Sequence, residues 1–516
     1  MIRVYNTLTK SKEVFQPVQP GKVGIYLCGP TVYKPSHIGH MVGPVIFDAI
    51  KRYLTYCGYE VTLVINMTDV DDKLIAESNA RKIPMSQLAE EMIADYMANL
   101  KAMEIDTVDH FPRATEHIGQ IIEFTQDLLQ KGFAYESEGD VYFDVSKLED
   151  YGKLSHRTLE SMQVEGGSTA ERKRNAADFA LWKSAKPGEP SWPSPWGSGR
   201  PGWHIECSVM SGQLLGETFD IHGGGLDLVF PHHENEIAQS EARFGKPMAR
   251  YWMHNGLMQA SDEVGKVGGR HTRPAEGDRE AQEKGKISKS RGASPFRELL
   301  ADFDPETIRF FLLSTHYRRP IDFSENRIRE VETGLGTFYR FFKRFQRVTG
   351  KSFYDLVPAA LRSEGAFDPR NDPLLKDVAE HRERFLEAMD DDFNTGGAVG
   401  ILFDLLRRLN KFVDDEKLED PAKRDPARLA ALEQGAKTLR ELAATLGLFR
   451  TPRPEKPAGD GDALTGKLIE LLVEVRADAR KAKNFAAADK IRDRLAAMGV
   501  ILEDRPGGTE WTVAKG

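Results

Sequence analysis

The sequence is poor in cysteine, in long apolar runs and in net positive charge. Its 516 residues include only three cysteines, Cys28, Cys57 and Cys207, which excludes a disulfide framework and fits a reducing compartment. No apolar run approaches the roughly eighteen residues of a transmembrane helix, so we expect none. The first residues, MIRVYNTLTKSKEVFQP, contain no apolar segment followed by a small-residue cleavage site. We therefore expect no secretion signal, no membrane association and a cytoplasmic protein.

Net charge and composition restrict the function classes further. The formal net charge is −8 at pH 7, so a nucleic acid partner would require locally basic surfaces on an acidic chain. Hydrophobic residues make up 40% and charged residues 29% of the sequence, as is typical of soluble globular proteins. The length predicts several structural units rather than one.

Strand and helix patterns alternate in the first part of the chain. KVGIYLC and YEVTLVINMTD are apolar, as is typical of buried strands, and the segment between them has helical apolar spacing closed by Gly58. A strand, a crossover helix and a second strand predict a parallel sheet. The alternation returns in ETFDIHGGG, HHENEIAQSEARFG and YWMHNGLM. We expect an α/β fold: a doubly wound, Rossmann-type parallel-sheet domain with an α+β insertion at about 110–200.

The rest of the chain is predicted to be mostly helical. Long amphipathic patterns such as GGAVGILFDLLRRLNKFVDD are followed by RTPRPEKPAGDGDALTG, which has the composition of a linker. The predicted divisions are a catalytic parallel-sheet domain 1–295, a connecting helical region 296–345, a helical bundle 346–452, a linker 453–463 and a small C-terminal unit 464–516.

Small and acidic residues follow the predicted strands. Gly29, Asp69 and the glycines at 223–225 each come after a strand pattern. Ligands of doubly wound folds bind at the carboxyl ends of the strands. We therefore expect these residues to converge on the ligand site.

The stretch FPHHENEIAQS at 230–240 places two histidines and two glutamates just before a helical pattern. His232 and Glu236 are four residues apart, so in a helix they share a face and can offer one nitrogen and one oxygen to a zinc ion. Alone, this spacing is more often a solvated polar face, because a closed zinc site needs further ligands. A zinc hydrolase that uses Glu234 or Glu236 as its base is the alternative enzymatic interpretation.

A histidine motif, GPTVYKPSHIGHM, lies at a predicted strand-to-helix transition. Helix N-termini favour phosphate, and the imidazoles of His37 and His40 can donate hydrogen bonds to it. Gly39 lets a nucleotide approach the backbone closely. A pair of histidines that cap the helix is the structural alternative.

A lysine motif, GKISKSRG, carries Lys286 and Lys289 between glycine and serine residues. This composition predicts a mobile loop, whose ammonium groups suit a leaving pyrophosphate with growing charge. On its own, such a segment is more often a solvated charge run.

Together and in this order, the two motifs resemble the His-Ile-Gly-His and Lys-Met-Ser-Lys-Ser signatures of class I aminoacyl-tRNA synthetases, with Ile287 in the methionine position. Further stretches are similar to those of the cysteinyl-tRNA synthetase family: YLCGPTVY, NMTDVDDK, PSWPSPWGSGRPGWHIECS, FDIHGGGLDLVFPHHENEIAQSEA and YWMHNG. The resemblance extends from VYNTLT to LEDRPGGTEW. It implies ATP-dependent ligation of L-cysteine to tRNA(Cys) through a cysteinyl-adenylate, by a protein that we expect to be a monomer.

The resemblance also implies site residues. One zinc ion per chain, which selects the substrate thiol, is expected on Cys28, Cys207, His232 and Glu236. The two cysteines border predicted strand ends, and His233 and Glu234 are expected to support the ligands or lie on the surface. Catalytic contacts to the phosphates, with Mg²⁺ beside the β and γ groups, are expected from His37, His40, Lys286 and Lys289. ATP contacts are expected from Gly39, His40, Asp227 and Lys289. The amino-acid pocket is expected at Gly29, Thr68, Trp203 and His222, and anticodon contacts at Arg480, Asp489, Arg492 and Asp504.

The sequence departs from the family pattern in two places. The segment at about 259–285 is longer than expected, and its glycine and charge content predicts a flexible surface loop. Phe485 stands where the family often has tryptophan, which weakens the expectation of base stacking there.

Besides the hydrolase, two further functions are alternatives to the tRNA ligase. A tRNA-independent ligase that joins cysteine to an amino sugar shares the adenylation core, but the unit 464–516 argues against it. A catalytically silent RNA-binding protein is disfavoured by the intact motif residues His37, His40 and Lys289. A hydrolase would leave the adenylation signatures unexplained.

Overall fold

The structure is a computed structural model, which describes residues 1–158, 172–260, 294–453, 460–505 and 508–513. Lys286 and Lys289, and nearly all of the long segment at 259–285, lie outside the described residues.

Strands and helices both contribute to the described chain. Its strands are β1 (Arg3–Asn6), β2 (Ser11–Val14), β3 (Lys22–Leu27), β4 (Glu60–Ile65), β5 (Ala134–Ser137), β6 (Asp140–Phe143), β7 (Phe179–Ser184), β8 (Gly199–Pro201), β9 (Phe219–Gly225), β10 (Ala249–Asn255), β11 (Met258–Ala260), β12 (Ile321–Phe323), β13 (Val500–Arg505) and β14 (Gly508–Val513). Its α-helices are α1 (Gly39–Tyr56), α2 (Asp72–Arg81), α3 (Met85–Ala102), α4 (Ile118–Gln130), α5 (Trp203–Leu215), α6 (Glu234–Phe244), α7 (Phe296–Asp302), α8 (Pro305–Leu313), α9 (Glu325–Thr349), α10 (Pro373–Asp390), α11 (Thr395–Asp415), α12 (Pro426–Thr445), α13 (Asp460–Lys481) and α14 (Phe485–Ala497).

A four-stranded parallel sheet forms the centre of the first domain. Its strand order is β10-β9-β3-β4, and all neighbouring strands are parallel. The strands are continuous apolar runs because helices cover both faces of such a sheet. Helix α1 makes the crossover from β3 to β4 and ends at Tyr56, two residues before Gly58, whose φ of +96° favours glycine. The predicted doubly wound fold is confirmed.

The insertion is an α+β unit with its own core. Helix α4 precedes an antiparallel sheet of order β5-β6-β7-β8. Apolar residues of this sheet, among them Phe143, Leu181 and Trp182, pack with Ile205 and Val209 of α5. Helix α5 therefore fastens the insertion to the central sheet, and it then leads into β9.

The carboxyl ends of the central strands meet at one edge. Cys28 follows β3, and its backbone N–H donates to the carbonyl of Gly223 at 3.0 Å. The glycines at 223–225 were expected after β9, but they are its last three residues and pair with β10. Gly224 faces a close neighbour, because a Cβ there would lie 2.7 Å from the His233 ring. Side chains from α6 can therefore pack directly on this strand.

The helical region shares a core with the sheet domain. Apolar residues of α1 and α8 belong to the same buried cluster as those of α9, α10, α11 and α12. Helix α9 (Glu325–Thr349) runs across the division expected between residues 345 and 346. That division therefore does not coincide with the end of a helix, and the predicted domain limits stay predictions.

The C-terminal unit has a small separate core. Ile469 of α13, Leu495 of α14 and Val500 of β13 pack together beside the antiparallel pair β13–β14. Among the described helices, none is long and apolar enough to cross a membrane.

Candidate active site and metal centre

Four potential metal ligands meet at the carboxyl edge of the sheet. Cys28, Cys207, His232 and Glu236 each offer one ligand atom, and these atoms all lie within 4.8 Å of one another. Cys28 follows β3, Cys207 belongs to α5, and His232 and Glu236 flank the start of α6. The structure therefore brings together the four residues that the resemblance implied as zinc ligands.

Two local expectations about this cluster were wrong. Cys207 does not border a strand end, because β8 stops at Pro201 and α5 begins at Trp203, so Cys207 lies in the second turn of a helix. The regular helix after the cluster begins at Glu234, preceded by a wide turn at Val229–His233. His232 nevertheless lies one turn from Glu236.

The distances fit a tetrahedral zinc site. Sulfur ligands at about 2.3 Å and nitrogen or oxygen ligands at about 2.0 Å give edges of about 3.8 Å between two sulfurs, 3.5 Å between sulfur and oxygen and 3.3 Å between nitrogen and oxygen. The Cys28 and Cys207 sulfurs are 3.8 Å apart, and the Cys28 sulfur is 3.6 Å from Glu236 Oε1. His232 Nε2 is 3.0 Å from the same oxygen. Two sulfurs, one nitrogen and one carboxylate also suit the borderline softness of zinc.

The two thiols differ in acidity. Burial by itself raises the pKa of the Cys207 thiol, but the hydrogen bond from Cys28 and the adjacent His232 lower that pKa to about 6. Burial and the interaction with Cys207 raise the pKa of the Cys28 thiol well above its usual value. The side chains alone thus favour one thiolate beside one thiol, and a divalent cation would stabilise the second thiolate.

Neighbouring imidazole and indole rings orient the side chains of His232 and Glu236. His204 Nδ1 lies 3.0 Å from His232 Nδ1, so the imidazole that offers Nε2 to the cluster is oriented through its other nitrogen. The Trp203 ring stacks on His232 with 4.2 Å between centroids. His222 Nε2 lies 2.8 Å from Glu236 Oε2 and orients the carboxylate.

His233 lies beside the cluster rather than on the surface, and it contacts His254, which the sequence analysis did not single out. His233 is buried, and its Nε2 lies 3.3 Å from the Cys28 sulfur while its Nδ1 lies 2.8 Å from His254 Nε2. Cys28, His222, His233 and Glu236 form a second group of potential ligands within 4.8 Å, and it overlaps the first. A histidine inside the apolar strand YWMHN was the available signal for His254.

Glu234 binds the backbone of the segment 152–155. Its carboxylate is buried and accepts backbone N–H bonds from Gly152, Leu154 and Ser155 at 3.1, 3.2 and 2.7 Å. Both carboxylate oxygens are thus engaged by the backbone of the segment 152–155 and not directed at the ligand cluster. This arrangement disfavours the hydrolase that uses Glu234.

His37 and His40 form a stacked pair at the start of α1, with ring centroids 3.9 Å apart. The backbone N–H of Gly39 donates to His37 Nδ1 at 3.1 Å, and that of His37 donates to His40 Nδ1 at 3.2 Å. Burial lowers the pKa of His37, and burial together with His37 lowers the pKa of His40 to about 3. Because each Nδ1 accepts a backbone N–H, we assign the ring proton of each histidine to Nε2.

Gly29 and Thr68, two of the residues expected in the amino-acid pocket, follow the neighbouring strands β3 and β4. The N–H of Gly29 donates to Asn66 Oδ1 at 2.8 Å, and a Cβ on Gly29 would lie 1.8 Å from the Asn66 carbonyl oxygen. Thr68 is buried at the neighbouring strand end, where Asn66 Nδ2 lies 3.4 Å from its hydroxyl. Of the two residues expected to form the pocket walls, Trp203 is 37% exposed, whereas His222 is fully buried.

The remaining residues expected to contact ATP and its phosphates are Asp227, Lys286 and Lys289. Asp227 is exposed in the short turn Leu226–Leu228 that follows β9. Nothing in the described residues tests the positions of Lys286 and Lys289.

The four expected anticodon residues form two groups in the C-terminal unit. Asp504 accepts from Arg480 at 2.6 Å and from Arg476 at 2.6 Å through each of its two oxygens. Arg492 lies 3.3 Å from Asp489. Phe485 is 60% exposed at the start of α14.

Three segments of the chain match known domain families. Residues 14–266 and 280–333 match the model described as tRNA synthetases class I (C) catalytic domain. Residues 384–450 match the DALR domain, and residues 466–511 match the cysteinyl-tRNA ligase anticodon binding domain. Together these matches cover the sheet domain, much of the bundle and the C-terminal unit.

Full-length relatives are similar over nearly the whole chain. It is 45% identical over 520 residues to the cysteine–tRNA ligase of Geobacter metallireducens, with 99% of both chains covered. It is 45% identical over 515 residues to the cysteine–tRNA ligase of Thermococcus onnurineus, with 99% of this chain and 98% of the relative covered. Among solved structures, Mycobacterium tuberculosis methionyl-tRNA synthetase in complex with methionyl-adenylate superimposes with a TM-score of 0.58 at 14% identity, covering 82% of this chain and 90% of the other. That likeness shows a shared fold.

Proposed function

Because the chain belongs to the cysteine–tRNA ligase family and carries its class I catalytic domain, we propose that it activates L-cysteine with ATP as cysteinyl-adenylate and then transfers it to tRNA(Cys). The chain is a ligase, and cysteine, ATP and tRNA are the substrates of its family. The finer assignments below are part of the proposal.

The cluster of potential metal ligands is the observation that carries the proposal. Cys28, Cys207, His232 and Glu236, of which all but the half-buried Cys28 are buried, lie at the edge where doubly wound folds bind ligands. We propose that these four residues hold one zinc ion. When bound, zinc supplies a soft Lewis acid that attracts the substrate sulfur and lowers the thiol pKa.

Selection of cysteine over serine follows from this chemistry. Shape complementarity discriminates by only about 1–3 kcal/mol per methylene-sized difference. Serine has the size of cysteine but no soft sulfur, so a site that recognises the sulfur rejects serine at the binding step. On this account, the protein needs no separate editing site.

Adenylation is proposed to use the stacked histidines. The substrate carboxylate attacks the α-phosphorus of ATP, and the bond to pyrophosphate breaks. The Nε2–H groups of His37 and His40 are proposed to donate to the phosphate oxygens as their charge grows, while Gly39 admits the nucleotide to the backbone. Lys286 and Lys289 are assigned to the β and γ groups, beside Mg²⁺.

The substrate and the nucleotide are proposed to be oriented by residues around the centre. The amino group of cysteine is assigned to Gly29 and Thr68, and the pocket walls to Trp203 and His222. Asp227 is assigned to the ribose of ATP. These contacts are proposed to hold the cysteine carboxylate in line with the α-phosphorus, which lowers the activation barrier of adenylation.

Transfer to tRNA completes the proposed reaction. A terminal adenosine hydroxyl of the tRNA attacks the activated carbonyl, and AMP leaves. We assign the anticodon contacts to the paired side chains of the C-terminal unit: Arg480, Asp489, Arg492 and Asp504. The match of residues 466–511 to an anticodon binding domain supports this ligase over the amino-sugar ligase.

Two assays test the proposal. Cysteine-dependent exchange of pyrophosphate into ATP reports the first step, and charging of tRNA(Cys) reports the second. Cys207→Ser is expected to lose bound zinc and exchange. Cys57→Ser, which alters a cysteine outside the cluster, should keep both. Exchange without charging would favour the amino-sugar ligase, and no exchange by the zinc-loaded, unaltered protein would contradict the proposal.

A further inference from the structure

Asn66 joins the two residues that are assigned to the substrate amino group. It directly follows β4, and only 1% of its surface is exposed. Its side-chain Oδ1 accepts the backbone N–H of Gly29 at 2.8 Å, and its Nδ2 lies 3.4 Å from the hydroxyl oxygen of Thr68. One buried amide therefore contacts both Gly29 and Thr68.

The contact with Gly29 replaces a backbone bond at the end of the sheet. The pairing of β3 with β4 ends at Leu27. Beyond it, the N–H of Gly29 bonds to the Asn66 side chain. Backbone bonding resumes with the N–H of Thr68, which donates to the Pro30 carbonyl at 3.3 Å. A Cβ on Gly29 would lie 1.8 Å from the Asn66 carbonyl oxygen, so the backbone and the side chain of Asn66 together fix the position of this glycine.

The polarity of the amide determines which groups are left for a ligand. A backbone N–H only donates, so the Asn66 atom that meets Gly29 is the oxygen, and the amino group is directed at Thr68. The amino group only donates, so the Thr68 hydroxyl accepts from it and keeps one further lone pair. The N–H of Gly29 is occupied, and its carbonyl oxygen is the group that it can offer. This pair of residues therefore suits a donor such as an ammonium better than a carboxylate.

We propose that Asn66 is a positioning residue that sets the direction in which the cysteine substrate binds: it withdraws the N–H of Gly29 and leaves the Gly29 carbonyl and a lone pair of Thr68 to the substrate ammonium. This inference rests on the proposed function, in which Gly29 and Thr68 contact the amino group. Gly29 directly follows the expected zinc ligand Cys28. Sulfur recognition at the ligand cluster and ammonium recognition beside Asn66 together leave the substrate carboxylate for ATP.

Substitutions of similar size separate the hydrogen bonds of the amide from its volume. Asn66→Leu removes both the acceptor and the donor. Asn66→Asp keeps an oxygen for the N–H of Gly29, and its second oxygen accepts from the Thr68 hydroxyl when charged or donates to it when protonated. Asn66→Ala, which removes the amide without adding a branched side chain, is the second variant should Asn66→Leu not fold. Asn410→Leu makes the matched change in helix α11 of the bundle, where the amide contacts Arg344.

The first measurement is pyrophosphate exchange by the full-length, zinc-loaded protein, with cysteine and ATP varied in turn and zinc content determined for every variant. Asn66→Leu should raise the KM for cysteine by about 10- to 100-fold, the range for one hydrogen bond to a charged group, and leave the KM for ATP nearly unchanged. Asn66→Asp should recover most of this loss. Asn410→Leu should leave both KM values unchanged.

The second measurement locates the effect at the ammonium. Cysteamine and 3-mercaptopropionate are thiols of the same chain length, and the first carries an ammonium where the second carries a carboxylate. Both are tested as inhibitors of exchange that compete with cysteine. Asn66→Leu should weaken inhibition by cysteamine by the same factor by which it raises the KM for cysteine, and leave inhibition by 3-mercaptopropionate nearly unchanged.

Several outcomes would overturn the inference. Equal rises in the KM values for cysteine and ATP, or equal losses in Asn66→Leu and Asn66→Asp, would mean that Asn66 only supports the fold. An unchanged KM for cysteine, or no inhibition of the unaltered protein by cysteamine, would mean that Asn66 does not act on the ammonium. If the unaltered protein showed no cysteine-dependent exchange, the proposed function would fall and this inference with it. Normal exchange by the unaltered protein with any of the other outcomes would remove this inference alone.

Discussion

Substitutions of His40 can separate the structural role of its Nδ1 from the proposed chemical role of its Nε2. Its Nδ1 accepts a backbone N–H from His37 at 3.2 Å, which leaves Nε2 as the donor available to phosphate. Asparagine carries an oxygen near the position of Nδ1 and no distal donor. Glutamine can place an amide N–H near the position of Nε2 and lacks the proximal acceptor. His40→Asn and His40→Gln therefore remove opposite halves of one side chain.

The two variants should fail in different ways. His40→Asn keeps the backbone hydrogen bond, so its thermal unfolding should be nearly unchanged. Its pyrophosphate exchange rate should fall by about 10²–10³-fold, the usual effect of losing one donor to developing charge. His40→Gln loses the backbone bond, worth about 1 kcal/mol, but keeps a donor and should retain more exchange than His40→Asn.

The comparison is made at saturating ATP and cysteine, so that binding differences do not mask the chemical step. His37→Asn is the matched change in the stacked partner, whose Nδ1 accepts from Gly39 at 3.1 Å, and it should behave like His40→Asn. Full exchange by His40→Asn, or equal loss in His40→Asn and His40→Gln, would refute the assignment of Nε2–H to phosphate.

Three further predictions follow from the same structure. Removal of zinc by a chelator should lower the unfolding temperature and abolish cysteine binding, and zinc but not Mg²⁺ should restore both; full cysteine binding by the metal-free protein would contradict the site. Burial lowers the pKa of His40 to about 3. Between that value and about pH 6.5, the folded chain therefore binds fewer protons than the unfolded chain. The free energy of unfolding falls as the pH drops through this window, by about 1.4 kcal/mol at pH 5.5. His40→Asn should therefore show a smaller drop in unfolding temperature from pH 7.5 to pH 5.5 than the unaltered chain, and an equal drop would count against a neutral His40. Asp504→Asn removes the charged partner of Arg476 and Arg480. Proteolysis within the C-terminal unit should therefore accelerate and tRNA charging should fall, while pyrophosphate exchange persists. Loss of exchange as well would show a wider structural effect.

Much of the fold was predictable because its patterns are local. The strand at 22–27 and helix α1 have the periodicity and the closing Gly58 that the sequence analysis used. Cys207 was expected to border a strand end, after a loop rich in tryptophan, proline and glycine. Instead, α5 begins after Gly202, where a Cβ would lie 1.9 Å from the carbonyl oxygen of Ala180. That close contact comes from a strand distant in sequence, so no local pattern reveals it.

The ligand cluster could be predicted only in part, for a related reason. The spacing of His232 and Glu236 indicates a shared face, but Cys28 and Cys207 are 179 residues apart in sequence and meet only in the folded chain. The resemblance to a family supplied them. The contact of His233 with His254 depends on a residue of β10, so the sequence around His232 and Glu236 left open whether His233 supports the ligands or lies on the surface.

The most direct test of the account is the number of sulfur atoms around the zinc, measured by X-ray absorption at the zinc edge. The zinc-loaded protein should show two sulfur neighbours, from Cys28 and Cys207. Saturating L-cysteine should raise the number to three, and serine should leave it at two. A count that does not change when cysteine binds would contradict the claim that this centre recognises the substrate thiol.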